Sequence, residues 1–269
     1  MTQFVRINRR LFLARLGKGT MALAVLGACS PSDTGSTTSS TASPASTVAT
    51  TTTAAPAGTT TTGAPTATTA ATAGDAGFVR VDLGFVSAYI VVRGSQAAVV
   101  DTGVGGSEGA IEAALGTADL GWDAVSHLIL THHHGDHVGS MPAVMDAAAA
   151  ATAYIGEGDL DNVSGPRELL GLRDGDDVFG LQVIGTPGHT AGHISLLDPV
   201  ASVLIAGDAI NGEDGGVAGP NPQFSEDHDE ALLTVGKLAG YEYETLYFGH
   251  GEPVLQAASA QVAVLAETL

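Results

Sequence analysis

The chain of 269 residues is 44% hydrophobic and 14% charged, with 29 acidic residues against 10 basic ones, a formal net charge of −19 and a single cysteine. That is enough apolar material for one sizeable core plus appendages. One cysteine excludes an internal disulfide, and the acidic balance opposes nucleic acid and other polyanions as partners.

The opening stretch reads as an address. Asn8-Arg9-Arg10-Leu11-Phe12-Leu13 resembles a twin-arginine export signal, an apolar run from Met21 to Ala28 follows Lys18, and Leu26-Gly27-Ala28-Cys29 resembles a lipobox. The apolar run is too short to cross a bilayer as a helix. Residues 1–29 are therefore expected to be a lipoprotein signal, with Cys29 carrying the lipid and making the only membrane contact. The expected location is outside the cytoplasm, at the cell surface or in the periplasm. Residues 30–77 are almost entirely Thr, Ser, Ala, Pro and Gly, too poor in apolar bulk to offset ordering entropy, and are expected to form a disordered tether. All 29 acids lie after Cys29 with only five basic residues, a net of −24 that opposes polyanions, and all of those acids but Asp33 and Asp75 lie in the folding part, residues 78–269.

Apolar runs bounded by glycines predict strands over 78–82, 86–93 and 97–101. A helix over 107–116 follows, with Ser107 as its N-cap. A strand over 126–131 runs straight into Thr131-His132-His133-His134-Gly135-Asp136-His137. Next come a helix over 140–150, with Ser140 as cap and Pro142 early in the first turn, and a strand over 152–155. Strands over 181–186, 193–198 and 202–207, a helix over 228–239, a strand over 245–248 and a helix over 256–267 complete the pattern. The aperiodic stretches 156–180 and 209–227 are expected to wall or cover a pocket.

The histidine turn has the spacing of a metal site. At an extended strand end, residues i and i+2 point the same way, so His132 and His134 can grip one ion from the same side. Gly135 permits a sharp turn that carries Asp136 and His137 toward a second position. Further donors stand at other strand ends beside glycines: His189 in Thr186-Pro187-Gly188-His189, Asp208 after Ala206-Gly207, and His250 after Gly249. That is where α/β sheets place their ligands. Imidazoles and carboxylates suit zinc, with manganese and iron as alternatives.

These motifs, together with Val100-Asp101-Thr102-Gly103, resemble the metallo-β-lactamase superfamily over roughly residues 78 to 255. The resemblance implies an α/β fold, an αββα sandwich of two mixed sheets flanked by helices. It implies two divalent ions: His132, His134 and His189 on the first, Asp136, His137 and His250 on the second, and Asp208 bridging both. It also implies hydrolysis of a small-molecule ester, lactone, thioester or amide by a metal-bound hydroxide, with Asp136 shuttling a proton to the leaving group. Asp101 would buttress the metal loops, and His193 would orient its neighbours from outside the ligand set. His133 would point away from the ions, and Thr190 and Asn211 are candidate pocket groups.

Within the superfamily, Asp208 resembles the glyoxalase II-like, lactonase-like and nuclease-like branches more than lactamases with cysteine there. Asn211 stands where lactonases carry tyrosine, and Lys237 is the sole lysine after Cys29, so neither a lactonase nor a glutathione-binding enzyme is matched in full. Two rival readings are a mononuclear iron enzyme of the persulfide dioxygenase type and a non-catalytic metal-binding surface protein.

Overall fold

The computed structural model describes residues 67–70 and 76–269. The twin-arginine stretch, Cys29 and most of the expected tether lie outside the described residues. The first sheet holds seven strands in chain order: β1 (Ala67–Ala70), β2 (Ala76–Asp82), β3 (Ser87–Arg93), β4 (Gln96–Val100), β5 (Val125–Leu130), β6 (Thr152–Gly156) and β7 (Leu169–Leu172). Pairing is antiparallel from β1 to β4 and parallel from β4 to β7. Part of the stretch read as tether is thus a strand: Ala67–Ala70 pairs along β2 with Ala67 opposite Val81. Composition misses it because a threonine-rich segment meets the open edge of β2, and edge pairing supplies backbone partners that composition does not report.

The second sheet is built from β8 (Asp177–Val178), β9 (Leu181–Gly185), β10 (Ile194–Asp198), β11 (Val203–Ile205) and, after the small ribbon β12 (Asn211–Glu213) and β13 (Gly216–Ala218), β14 (Thr245–Tyr247). Its order is β14-β11-β10-β9-β8, antiparallel except for the parallel β11–β14 pair. Among the described residues five α-helices accompany the sheets: α1 (Glu108–Thr117), α2 (Gly135–Val138), α3 (Met141–Ala147), α4 (His228–Leu238) and α5 (Ala258–Ala266).

The layering follows from side-chain alternation along strands that are apolar on both faces. In β2 to β5, Val79, Val81, Ala88, Ile90, Ala97, Val99, Leu128 and Leu130 face a cluster with Ile111 and Leu115 of α1 and Met141, Val144 and Met145 of α3. The intervening Phe78, Tyr89, Val91, Ala98, Val100 and Ile129 face Leu181, Val183, Leu196, Val203 and Ile205 of the second sheet. The other side of that sheet packs Ile184, Leu204 and Leu246 against Val235 and Leu238 of α4 and Val262 of α5. Helix, sheet, sheet, helix is the resulting order. Each large aliphatic side chain so buried contributes about 1.5–3 kcal/mol.

Two caps differ from expectation. Ser107 and Ser140 stand at the N-cap positions of α1 and α3, yet neither side chain caps its helix. Both have ψ near zero, outside the extended conformation that aims a cap side chain at its own first turn. Instead the Ser140 hydroxyl accepts from Ser107 N–H at 2.7 Å and donates to Val104 O at 2.7 Å, tying two loops together. Asp227 does cap α4, accepting from Glu230 N–H at 3.0 Å.

Candidate metal centre

All seven donors proposed from the sequence come together at the strand ends. β5 delivers His132 and His134, and the short α2 turns Asp136 and His137 back over them. The second sheet supplies His189 beyond β9, Asp208 beyond β11 and His250 beyond β14. Among the described residues three groups have donor atoms within 4.8 Å of one another: His132, His134 and His189; His132, His137 and Asp208; and Asp136, His137 and His250. Asp208 reaches both sides of the cluster. Its Oδ1 lies 3.3 Å from His137 Nε2, and its Oδ2 lies 3.4 Å from His189 Nε2 and 3.2 Å from His250 Nε2. Asp136 Oδ2 stands 3.4 Å from His250 Nε2.

Outer contacts aim the rings. His137 Nδ1 lies 2.9 Å from Asp101 Oδ2, and His250 Nδ1 lies 2.6 Å from Phe85 O, so both rings present Nε2 to the centre. Asp101 also accepts from Thr131 N–H and Thr131 Oγ1–H at 2.7 and 2.8 Å, which joins the ends of β4 and β5. It does so at φ 59°, a left-handed conformation that aspartate tolerates better than most side chains. His193 holds Asp208 by its backbone, accepting its N–H at Nε2 over 3.0 Å. Both Asp101 and His193 therefore stand where the sequence reading put them, outside the donor set and against it.

Charge in the cluster is divided. Burial pushes the His132 imidazole well below its ordinary value, and burial likewise takes His189 down to about 4. Burial opposes charge on His250 too, but hydrogen bonds to Asp136 and Asp208 outweigh it and lift this ring to about 10. His137 is raised in the same way by Asp208 and Asp101 against the pull of burial. Burial would lift the Asp208 carboxyl, yet His137 and His250 hold it well below the usual carboxylate range. The hydrogen bond from His250 lowers Asp136 as well. Two acids concentrated among imidazoles thus demand positive charge at the centre.

A pair of divalent ions fits that demand. His137 Nε2 and Asp208 Oδ1 are buried 3.3 Å apart without a well-aligned hydrogen bond to each other or to any other group, a costly state for polar atoms that coordination would relieve. Nitrogen and carboxylate donors without a thiolate match borderline to hard ions. Space is reserved as well. A Cβ on Gly249 would run into Asp208 Oδ1, and one on Gly207, already at φ 56°, would fall 2.7 Å from His193 Nε2.

The donors open into a cavity of about 810 Å³, lined by Phe85 from the β2–β3 turn and by the 211–224 stretch with Phe224. The expectation for 209–227 is thereby met, but 156–180 contributes no wall. It forms β7, β8 and a turn over Glu157–Asn162, because Leu172 and Val178 are drawn into the core. Asn211 lines the cavity, whereas Thr190 is fully buried and does not. Thr190 instead donates to Asp159 Oδ2 at 2.6 Å. Asp159, missed from the sequence, also accepts from His133 N–H at 3.1 Å and Gly192 N–H at 2.7 Å. It fastens the histidine turn to the loop after His189. Nothing local in Glu157-Gly158-Asp159 signals this, since two of its three partners are backbone amides distant in sequence. His133 turns from the cluster as expected, with Nδ1 3.1 Å from Asp159 Oδ2.

The sequence model described as "Metallo-beta-lactamase superfamily" matches residues 81–250. The chain is similar to an uncharacterised protein, YobT, of Bacillus subtilis strain 168, at 31% identity over 200 residues, 62% of this chain and 83% of that one. It is also similar to a hydroxyacylglutathione hydrolase of Alkalilimnicola ehrlichii, at 35% identity over 156 residues, 57% of this chain and 56% of the relative. The chain thus spans little more than half the length of that enzyme. Among solved structures, a metallo-beta-lactamase family protein of Thermus thermophilus superposes with a TM-score of 0.56 at 25% identity, over 68% of this chain and 74% of that one. A protein crystallised in a di-iron-bound form shares the fold, with a TM-score of 0.56 at 24% identity over 68% of this chain and 95% of that one. The matched span takes in the histidine turn and all three strand ends that complete the cluster, and the chain belongs to the metallo-beta-lactamase superfamily.

Proposed function

We propose that this superfamily hydrolase holds two divalent ions and cleaves a small ester, lactone, thioester or amide. His132, His134 and His189 would hold one ion, Asp136, His137 and His250 the other, and Asp208 would touch both. The observation that carries this reading is the position of Asp208, within 3.2–3.4 Å of ring nitrogens on His137, His189 and His250. Seven converging donors exceed what one ion with an open position needs, which argues against the mononuclear iron alternative. The similarity to a hydroxyacylglutathione hydrolase supports hydrolysis at an acyl carbon.

Bound divalent ions would supply Lewis acidity, polarising a carbonyl and bringing the pKa of water toward neutrality. The chain's own residues do the rest. Asp101 and Phe85 O fix the His137 and His250 rings from behind and His193 holds the Asp208 backbone, so these donors are set before substrate arrives. Asp136 is partly exposed, lines the cavity and is kept ionised by His250, so it can accept the proton released as water adds and deliver it to the departing oxygen, sulfur or nitrogen. Water adds across one acyl bond, giving a carboxylic acid and an alcohol, thiol or amine. Residues 1–29 extend the proposal: Cys29 would anchor the enzyme to a membrane outside the cytoplasm.

The test pairs metal analysis of the purified full chain with turnover of an ester and lactone panel. Two ions per chain, with turnover abolished by a chelator and restored by metal, is the expected result. A single ion per chain, or turnover indifferent to chelation, would overturn the proposal. For the anchor, Cys29→Ala should move the protein from the membrane to the soluble fraction.

A further inference from the structure

The walls of the cavity carry information about the substrate that the donors do not. Two phenylalanines from separate loops line it while remaining 63% exposed: Phe85, in the turn between β2 and β3, and Phe224, in the stretch before α4. Phe85 stacks against the His250 ring with centroids 6.1 Å apart and an angle of 11° between planes. Pro220, Pro222 and Ala218 extend the apolar surface. A large aromatic ring left in water beside a reacting centre is a standing hydrophobic cost that a bound apolar group would remove.

No lysine or arginine answers from the walls. Among the described residues there are five lysines and arginines, and each is engaged elsewhere. Arg80 pairs with Glu252 at 2.7 Å and Arg93 with Asp198 at 2.7 Å. Arg167 donates to carbonyls of Met145, Ala148, Ala149 and Ala151. Arg173 pairs with Glu157, and Lys237 with Asp174 at 2.8 Å. None of the five lines the cavity, whereas Glu213 does, adding an acid away from the donor cluster. A substrate with a remote carboxylate or phosphate would find repulsion there and no ammonium or guanidinium to pair with.

We infer that the substrate is an ester or lactone with an uncharged, apolar acyl or alcohol portion, which Phe85 and Phe224 cover while its carbonyl faces the donor cluster. This rests on the hydrolase reading and narrows it. Water's oxygen bonds to the acyl carbon, the acyl C–O bond breaks with its electron pair on the alcohol oxygen, and that oxygen takes the proton; no oxidant or reductant is involved. The similarity to a hydroxyacylglutathione hydrolase then concerns the reaction centre and not the substrate's remainder.

The experiment compares para-nitrophenyl hexanoate with the para-nitrophenyl half-ester of adipic acid, which differs by one terminal carboxylate, on the metal-loaded full chain. The neutral ester should be favoured in kcat/KM by about tenfold or more. Phe224→Ala and Phe85→Ala should each lower kcat/KM for the neutral ester by about fivefold to thirtyfold, mainly through KM. Glu213→Lys should raise kcat/KM for the half-ester by roughly threefold or more. Calorimetric binding of methyl hexyl ketone, which cannot be hydrolysed, gives a second readout, and both alanine variants should weaken it. Equal or preferred turnover of the half-ester, or unchanged KM and ketone binding in both phenylalanine variants, would overturn the inference. Absence of turnover with ketone binding that depends on the phenylalanines would instead remove the hydrolase reading and leave the apolar-ligand inference standing.

Discussion

His193 Nε2 accepting the Asp208 N–H at 3.0 Å shows how the centre is held by residues that are not donors. Asp159, which the sequence did not mark, does the same, because its fully buried carboxylate bonds both the histidine turn and the loop after His189. Asp159→Asn turns one accepting oxygen into a donor facing an N–H or hydroxyl. We expect metal affinity to fall by about tenfold to a hundredfold, read by competition with a chromogenic chelator, with far-UV circular dichroism retained. Unchanged affinity would assign Asp159 to the fold alone. Gly249→Ala belongs to the same scale. The new Cβ meets Asp208 Oδ1, so binding of metal should be lost or reduced to one ion per chain, as counted by elemental analysis.

At the scale of elements, Asp227 is the clearest single lever. Replacing it with alanine removes the bond to Glu230 N–H and should cost about 1 kcal/mol, seen as a lower midpoint in urea unfolding. A larger contrast is expected inside the sandwich. Ile129→Ala, fully buried between the sheets, should cost about 2–5 kcal/mol in the same measurement. Strands β2 to β6, β9 to β11 and β14 were legible as apolar runs because both their faces are covered. β7, β12 and β13 were not, since Leu169–Leu172 is buried only at its last residue and Asn211–Glu213 and Gly216–Ala218 lack buried residues. The seven donors were legible for the opposite reason: imidazoles beside glycines at strand ends are dense and rare. Phe85, Phe224 and Asp159 carry no such mark, and their roles arise only when distant loops meet.

For the molecule as a whole, the donor cluster sits on loops of both sheets: His132, His134, Asp136 and His137 from the first, His189, Asp208 and His250 from the second. Metal should therefore stabilise the packed sandwich by mass action. Chelation is expected to lower the thermal midpoint by several degrees at least, about 2–4 °C for each 1 kcal/mol in a domain of this size, measured by differential scanning calorimetry. An unchanged midpoint would mean that the donors do not bind ions in the folded state. With five basic residues against 29 acids beyond Cys29, high salt should alter this metal-dependent gain less than it alters the stability of the chelated form, where the two central carboxylates are screened only by nearby imidazoles.

The chain order of the strands bears on how the protein is assembled. The first sheet is contiguous in sequence and offers four of the seven donors, but the remaining three arrive one at a time, each behind its own strand, with the Thr245–Tyr247 strand bringing the last. A newly synthesised chain can hold a partial nest of imidazoles early and only then close it. The apolar core between the sheets can form without metal, but the full donor set exists only once the last strand has paired, so complete loading must follow docking of the two sheets.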